Sequence, residues 1–106
     1  MNLGKENLGY SLANMKELED LTDAEKSVLM RSYLTLDKSL KCHRPKLKIL
    51  KKIVKMDPKL KKKAFDKLVS NEFLRKHPTG RSTTYELTKK GLKAADKHIR
   101  DNFNNL

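Results

Sequence analysis

Lys59, Lys62 and Lys63 recur at helical spacing, with Lys67 one turn further on at the margin of the same face. Side chains three and four residues apart share one flank of a helix, so these amines form a row of cations. Such a row suits a run of phosphates, because phosphates exchange condensed counterions for protein charge and the released ions drive binding. The row belongs to a larger excess: between residues 38 and 63, twelve Lys or Arg stand against Asp57 alone. Residues 1–25 lean the other way, with six Asp or Glu against Lys5 and Lys16. The formal net charge is +12, and its concentration in one quarter of the chain points to a polyanionic partner. A single Lys on an outer helix face serves as solvated surface; the cluster carries the inference.

Other reactive residue types are sparse. Cys42 and His43 are adjacent and His77 lies far along the chain. A structural zinc site wants four ligands at compatible spacing, and there is no second Cys, so no metal or cofactor is expected. A Cys-His dipeptide points its side chains apart and offers no oriented third group, which argues against nucleophilic catalysis. The four glycines, Gly4, Gly9, Gly80 and Gly91, are too dispersed to cradle a phosphate. The reading is therefore not an enzyme.

The elements that must position the lysines can be read from caps and periodicity. A chain of 106 residues makes one domain with a modest core. One cysteine excludes an internal disulfide and suits a reducing compartment. No apolar run has signal-peptide length or approaches the ~18 residues of a membrane span, so the expected setting is cytoplasmic. Residues 1–20 read as an arm or short helix, capped by Ser11 over residues 12–20, and residues 21–106 as the domain proper. Thr22 and Glu25 form a capping box for a first helix running to about Leu36, with apolar residues around most of its circumference. Residues 37–45 read as a connection, and Pro45 suits the first turn of a second helix over residues 46–56. There Leu47, Leu50 and Val54 form one apolar stripe, with Ile49 and Ile53 beside it.

Asp57 as N-cap and Pro58 as first residue start a third helix after a very short turn. Leu60, Ala64, Phe65, Leu68 and Val69 take its inner half, and Lys59, Lys62, Lys63, Asp66 and Ser70 its outer half. Lys61 falls inside the apolar stripe and is expected to reach past the core into solvent. Residues 73–77 and 82–87 then read as a hairpin turning through Pro78, Thr79 and Gly80. Thr83, Tyr85 and Leu87 share one face of its return strand, and Ser82, Thr84 and Glu86 the other. Thr88 caps a last helix whose stripe is Leu92, Ala95, Ile99, Phe103 and Leu106.

In this order, "LVSNEFLRK" leads from a helix into a strand, "HPTGRS" turns, and "YELTKKGLKAA" enters the last helix. The arrangement over residues 21–99 resembles the winged helix-turn-helix domain of small prokaryotic transcription regulators of the MarR and PadR type. The resemblance implies a mostly α fold: a three-helix core, a two-stranded β-hairpin wing and a C-terminal helix. Such families usually carry Gly where this chain has Asn71 and Glu72, and Asn tolerates the left-handed conformation needed there. The connection between the first two helices is also longer and more basic than usual in them.

What the resemblance implies about function is double-stranded DNA binding, with the third helix in the major groove. Lys59, Lys62, Lys63 and Lys67 match its base- and phosphate-facing surface. Arg81 at the wing tip matches a minor-groove contact, flanked by Arg75, Lys76, Ser82 and Thr84. Lys46 and Lys48 would meet phosphates from the start of the second helix. Lysine is a poorer reader of bases than an Arg fork or an amide, so discrimination would rest on DNA shape. The resemblance and the long terminal stripe together imply a homodimer through the N- and C-terminal helices. The plainer alternative is that the two termini pack on each other within one chain.

Two other classes compete. An RNA-binding or ribosome-associated winged helix would use the same phosphate affinity, but would show exposed aromatics for stacking. A protein-interaction module would present apolar or mixed charge on the third helix. A membrane-surface role for the second helix lacks Trp or Phe anchors.

Overall fold

A computed structural model describes residues 15–79 and 81–104 of the chain. Leu18–Asp20 form a single 3-10 turn. Helix α1 is Asp23–Thr35, strand β1 His43–Pro45, helix α2 Lys46–Lys51 and helix α3 Pro58–Ser70. Strands β2, Leu74–Pro78, and β3, Thr83–Leu87, are followed by helix α4, Lys89–Asn104. Of the helix expected over residues 12–20, only the 3-10 turn is helical among the described residues. Its cap Ser11 and residues 12–14 lie outside them, as do Gly80 and Leu106 and the side chain of Phe103.

The start of α1 follows from its capping box. The Glu25 amide donates to Thr22 Oγ1 at 3.1 Å and the Thr22 amide to Glu25 Oε1 at 3.0 Å. The Lys16 ammonium closes on the same carboxylate at 3.0 Å. Burial pushes the Glu25 carboxyl up, but the Thr22 amide and Lys16 more than offset it and hold the group below its ordinary range. At the far end, Asp37 and Lys38 both take positive φ, and the Lys38 amide reaches back to the Tyr33 carbonyl at 2.8 Å. This closes α1 without a glycine. The helix packs on α2, α3 and α4, which explains its nearly continuous apolar circumference.

The segment after it corrects two expectations. Residues 43–45 are not plain connection but β1, which pairs antiparallel with β3 in the register His43↔Glu86, Arg44↔Tyr85, Pro45↔Thr84. The sheet therefore has three strands in the order β1-β3-β2, one more than the two-stranded hairpin. Pro45 ends this strand and stands at the N-cap of α2 rather than in its first turn. The second correction is length: α2 ends at Lys51, well short of Met56. Its end is held from α3, where the Lys61 ammonium donates to Leu50 O in the last turn at 3.0 Å and to Ile53 O just beyond it at 2.9 Å. Lys61 is thus the C-terminal cap of α2 and not a side chain reaching out to solvent. Because the helix stops, the expected stripe breaks up. Ile49, Leu50 and Ile53 enter the core, while Leu47 is 69% and Val54 80% exposed.

Helix α3 begins where Asp57 accepts from the Lys59 and Leu60 amides, with Pro58 in the first turn. Ala64, Phe65 and Leu68 are buried beneath α1, and the Phe65 ring meets Tyr85 edge-on at 5.0 Å. The left-handed residue after α3 is Glu72, with φ of 64°, and not Asn71. Asn71 instead donates to Lys67 O and accepts from the Lys16 amide. At the root of the hairpin, Thr88 caps α4 by accepting from the Gly91 amide at 3.0 Å, as its position predicts. A side chain at Gly91 would place Cβ 2.0 Å from the Phe73 carbonyl oxygen, so only glycine lets α4 approach the backbone just before β2 this closely. Tyr33 on α1 fastens the middle of α4 by donating to Asp96 at 2.6 Å.

Candidate nucleic-acid interface

The outward face of α3 gathers Lys59, Lys62, Lys63, Asp66, Lys67 and Ser70 along one shallow open groove. All six are exposed. The Asp57 cap and the burial of Phe65 and Leu68 set the rotation of the helix, so the face is rigidly presented. Its one anion is neutralised from elsewhere. The Lys46 ammonium lies 2.6 Å from Asp66 Oδ1 and 5.3 Å over the Phe65 ring. Lys46 is therefore partly buried and tied to α3, whereas Lys48 is exposed on a separate groove with Pro45, Leu47, Lys51 and Lys52.

The wing splits the remaining candidates between its two faces. Lys76 shares its strand face with Leu74 and stands opposite Tyr85, on the side that packs against α3. Arg75 points to the other side, where its Nε donates to Glu86 Oε2 at 2.6 Å. Arg81 and Ser82 are exposed beside the turn. That turn is organised by Thr79, whose hydroxyl accepts from the Ser82 amide at 3.0 Å while its amide donates to Ser82 O. Thr84 is buried rather than available as a flanking contact. Its hydroxyl donates to His77 O at 2.8 Å, which leaves the oxygen to accept from His43 Nδ1 at 2.9 Å.

Sequence reasoning missed the polar cluster this creates on the outer sheet face. The His43 and His77 rings stack across β3 with centroids 4.2 Å apart. His77 Nδ1 lies 2.9 Å from Glu86 Oε1, so Glu86 is clamped between His77 and Arg75. The Arg75 hydrogen bond foremost, against the effect of burial, holds the Glu86 carboxyl below its usual range. The polar alternation of Thr84 and Glu86 was visible, but its partners lie on strands that no local pattern connects. Among the described residues no group of His, Cys, Asp or Glu is arranged to hold a metal ion.

The acidic N-terminal side is occupied away from α3: Glu17 pairs with Lys90 and Glu19 with Lys97, each at 3.7 Å. No described helix is long and apolar enough to cross a membrane.

Two helices flanking a short strand, a capped third helix and a hairpin returning to a final helix form one recurrent architecture. Solved structures with the same arrangement decide it. ZitR of Lactococcus lactis, as a doubly substituted variant in its apo form, superposes with a TM-score of 0.58 at 22% identity, covering 99% of this chain and 76% of that one. The adhesin competence repressor AdcR of Streptococcus pyogenes superposes with a TM-score of 0.58 at 19% identity, covering 99% and 77%. The chain has the winged helix-turn-helix fold. No protein-family model matches the sequence, and no curated protein is significantly similar to it. In this fold α3 is the third helix of the core, and β2 and β3 form the hairpin wing.

Proposed function

We propose that this winged-helix protein binds double-stranded DNA as a small transcriptional regulator, acting as a dimer in the cytoplasm. The observation that carries the reading is the outer face of α3: Lys59, Lys62, Lys63 and Lys67 are exposed, and the single carboxylate among them is held by Lys46. An α-helix fits the major groove, and a face of four amines supplies phosphate affinity there. Arg81 and Ser82 at the wing tip supply a second contact, toward the minor groove, with Lys76 on the α3 side of the wing. Lys48, on a separate groove of α2, and Arg75, held by Glu86 on the opposite sheet face, stand apart from this surface. Lys46 contributes by neutralising Asp66 on that face. AdcR, a repressor of the same fold, supports the regulatory role.

Duplex is favoured over RNA because the described aromatic residues are not stacking platforms. Tyr33, Phe65 and Phe73 are buried, and Tyr85 is half-buried against Phe65. The dimer reading draws on the N- and C-terminal segments and the amphipathic α4.

The test is a salt titration of binding to mixed-sequence duplex DNA and to a matched RNA, with light scattering on the free protein. Tight duplex binding with a steep salt slope from a dimer is the expected result. Absent duplex binding at low salt, or a clear preference for RNA, would overturn the assignment.

A further inference from the structure

The face of α2 that turns away from the core is unlike the α3 face. Leu47 lies in a groove with Pro45, Lys48, Lys51 and Lys52, and Val54 in an adjoining one with Ser27, Arg31, Lys52 and Lys55. Lys52 borders both, so the two form one strip across α2 and the edge of α1. Its apolar members are conspicuously wet, Leu47 at 69% and Val54 at 80% exposure. Its cations are Arg31, Lys48, Lys51, Lys52 and Lys55. None of the five makes an ion pair among the described residues, and no carboxylate lines either groove.

We infer that this strip is a docking surface for an acidic segment of a partner protein, one in which Asp and Glu are interspersed with apolar side chains. Charge complementarity selects the acidic character: five unpaired cations with no counter-carboxylate favour a partner bearing several negative charges. The two exposed side chains select its apolar component, since Leu47 and Val54 gain nothing from phosphates and everything from leaving water. That distinguishes the strip from the α3 groove, whose lining side chains are all polar or charged. A lipid surface fits less well, because α2 has six residues and the strip carries no aromatic anchor. The inference does not depend on DNA binding by α3.

The experiment is an amide-resolved NMR titration of the full chain with a short synthetic peptide of Glu, Asp, Leu and Phe. Polyglutamate of equal length, duplex DNA and phosphatidylserine-containing vesicles are titrated in parallel. The expected result is that the peptide shifts the amides of Arg31 and of residues 47–55, leaving those of Lys59, Lys62 and Lys63 in place. A Leu47→Ser, Val54→Ser double variant should weaken peptide binding about tenfold, with its melting temperature unchanged because both side chains are already in solvent. Polyglutamate binding as well as the peptide would overturn the inference, and so would equal peptide binding by the double variant. Shifts of the same amides by DNA or by vesicles in place of the peptide would reassign the strip to that ligand. Shifts by DNA confined to α3 and the wing belong to the DNA reading alone, so the two can fail separately.

Discussion

The Lys46 ammonium bridges the Asp66 carboxylate and the face of the Phe65 ring, joining the first residue of α2 to the middle of α3. The bridge removes the one negative charge from an otherwise cationic face. Lys46→Ala should therefore weaken duplex binding by unmasking Asp66. Asp66→Asn should tighten it a few-fold, equivalent to about 1 kcal/mol or less at so exposed a pair. Fluorescence anisotropy at fixed salt reads both, and a loss of affinity in Asp66→Asn would show that the carboxylate is needed at the interface.

Replacing Lys59, Lys62 and Lys63 together by Ala should flatten the slope of log K against log salt by about two to three units, one phosphate per amine. An unchanged slope would mean those side chains face solvent in the complex. Arg81→Ala should lower duplex affinity with the fold intact, and unchanged affinity would remove the wing tip from the interface.

Glu72 holds a left-handed conformation that costs a residue with Cβ roughly 1 kcal/mol or more. Glu72→Gly relieves that strain while loosening the unfolded chain, so a net gain of about 0.5–1 kcal/mol is expected in urea denaturation. A lower midpoint would show that the Glu72 side chain is worth more than its backbone strain.

Gly91→Ala should do the reverse. Its Cβ would overlap the Phe73 carbonyl oxygen, and moving α4 off the Phe73 backbone should cost about 2–4 kcal/mol. A melting temperature lowered by roughly 10 °C or more is the expected reading. An unaltered melting curve would deny the close crossing.

Acid should destabilise the fold through Glu86 and Glu25, whose carboxyls are held below their ordinary value of 4.5. Below that value the unfolded chain binds protons that the folded one resists, so stability is full above pH 4.5 and is lost as the pH falls beneath it. Urea midpoints measured downward from neutral pH should show this decline, and Glu86→Gln should make it shallower. A flat profile in both proteins would exclude the clamp on Glu86 as a source of stability.

Much of the fold was legible because its boundaries are chemical. Thr22 with Glu25, Asp57 with Pro58, and Thr88 each mark a helix start by supplying an acceptor for orphan amides, and each is found in place. The lysine face of α3 was legible for the same kind of reason, since helical periodicity separates it from Phe65 and Leu68. What escaped depends on distant partners. Strand β1 is three residues long and exists only because β3, some forty residues later, offers its edge. The early end of α2 depends on Lys61 reaching its carbonyls from the next helix, and local periodicity carried the helix onward to Met56. The neutralisation of Asp66 and the stacking of His43 on His77 likewise arise only when separate elements cross.

The strand order leaves β1 and β2 as the two open edges of the sheet, and neither is an inviting template. β1 offers three residues and ends in Pro45, while β2 carries Arg75 and Lys76 and ends in Pro78. Charge, brevity and proline are the features that deter edge-to-edge strand addition. The short, proline-ended β1 and the basic edge of the wing thus both disfavour the addition of a strand from a second copy of the chain.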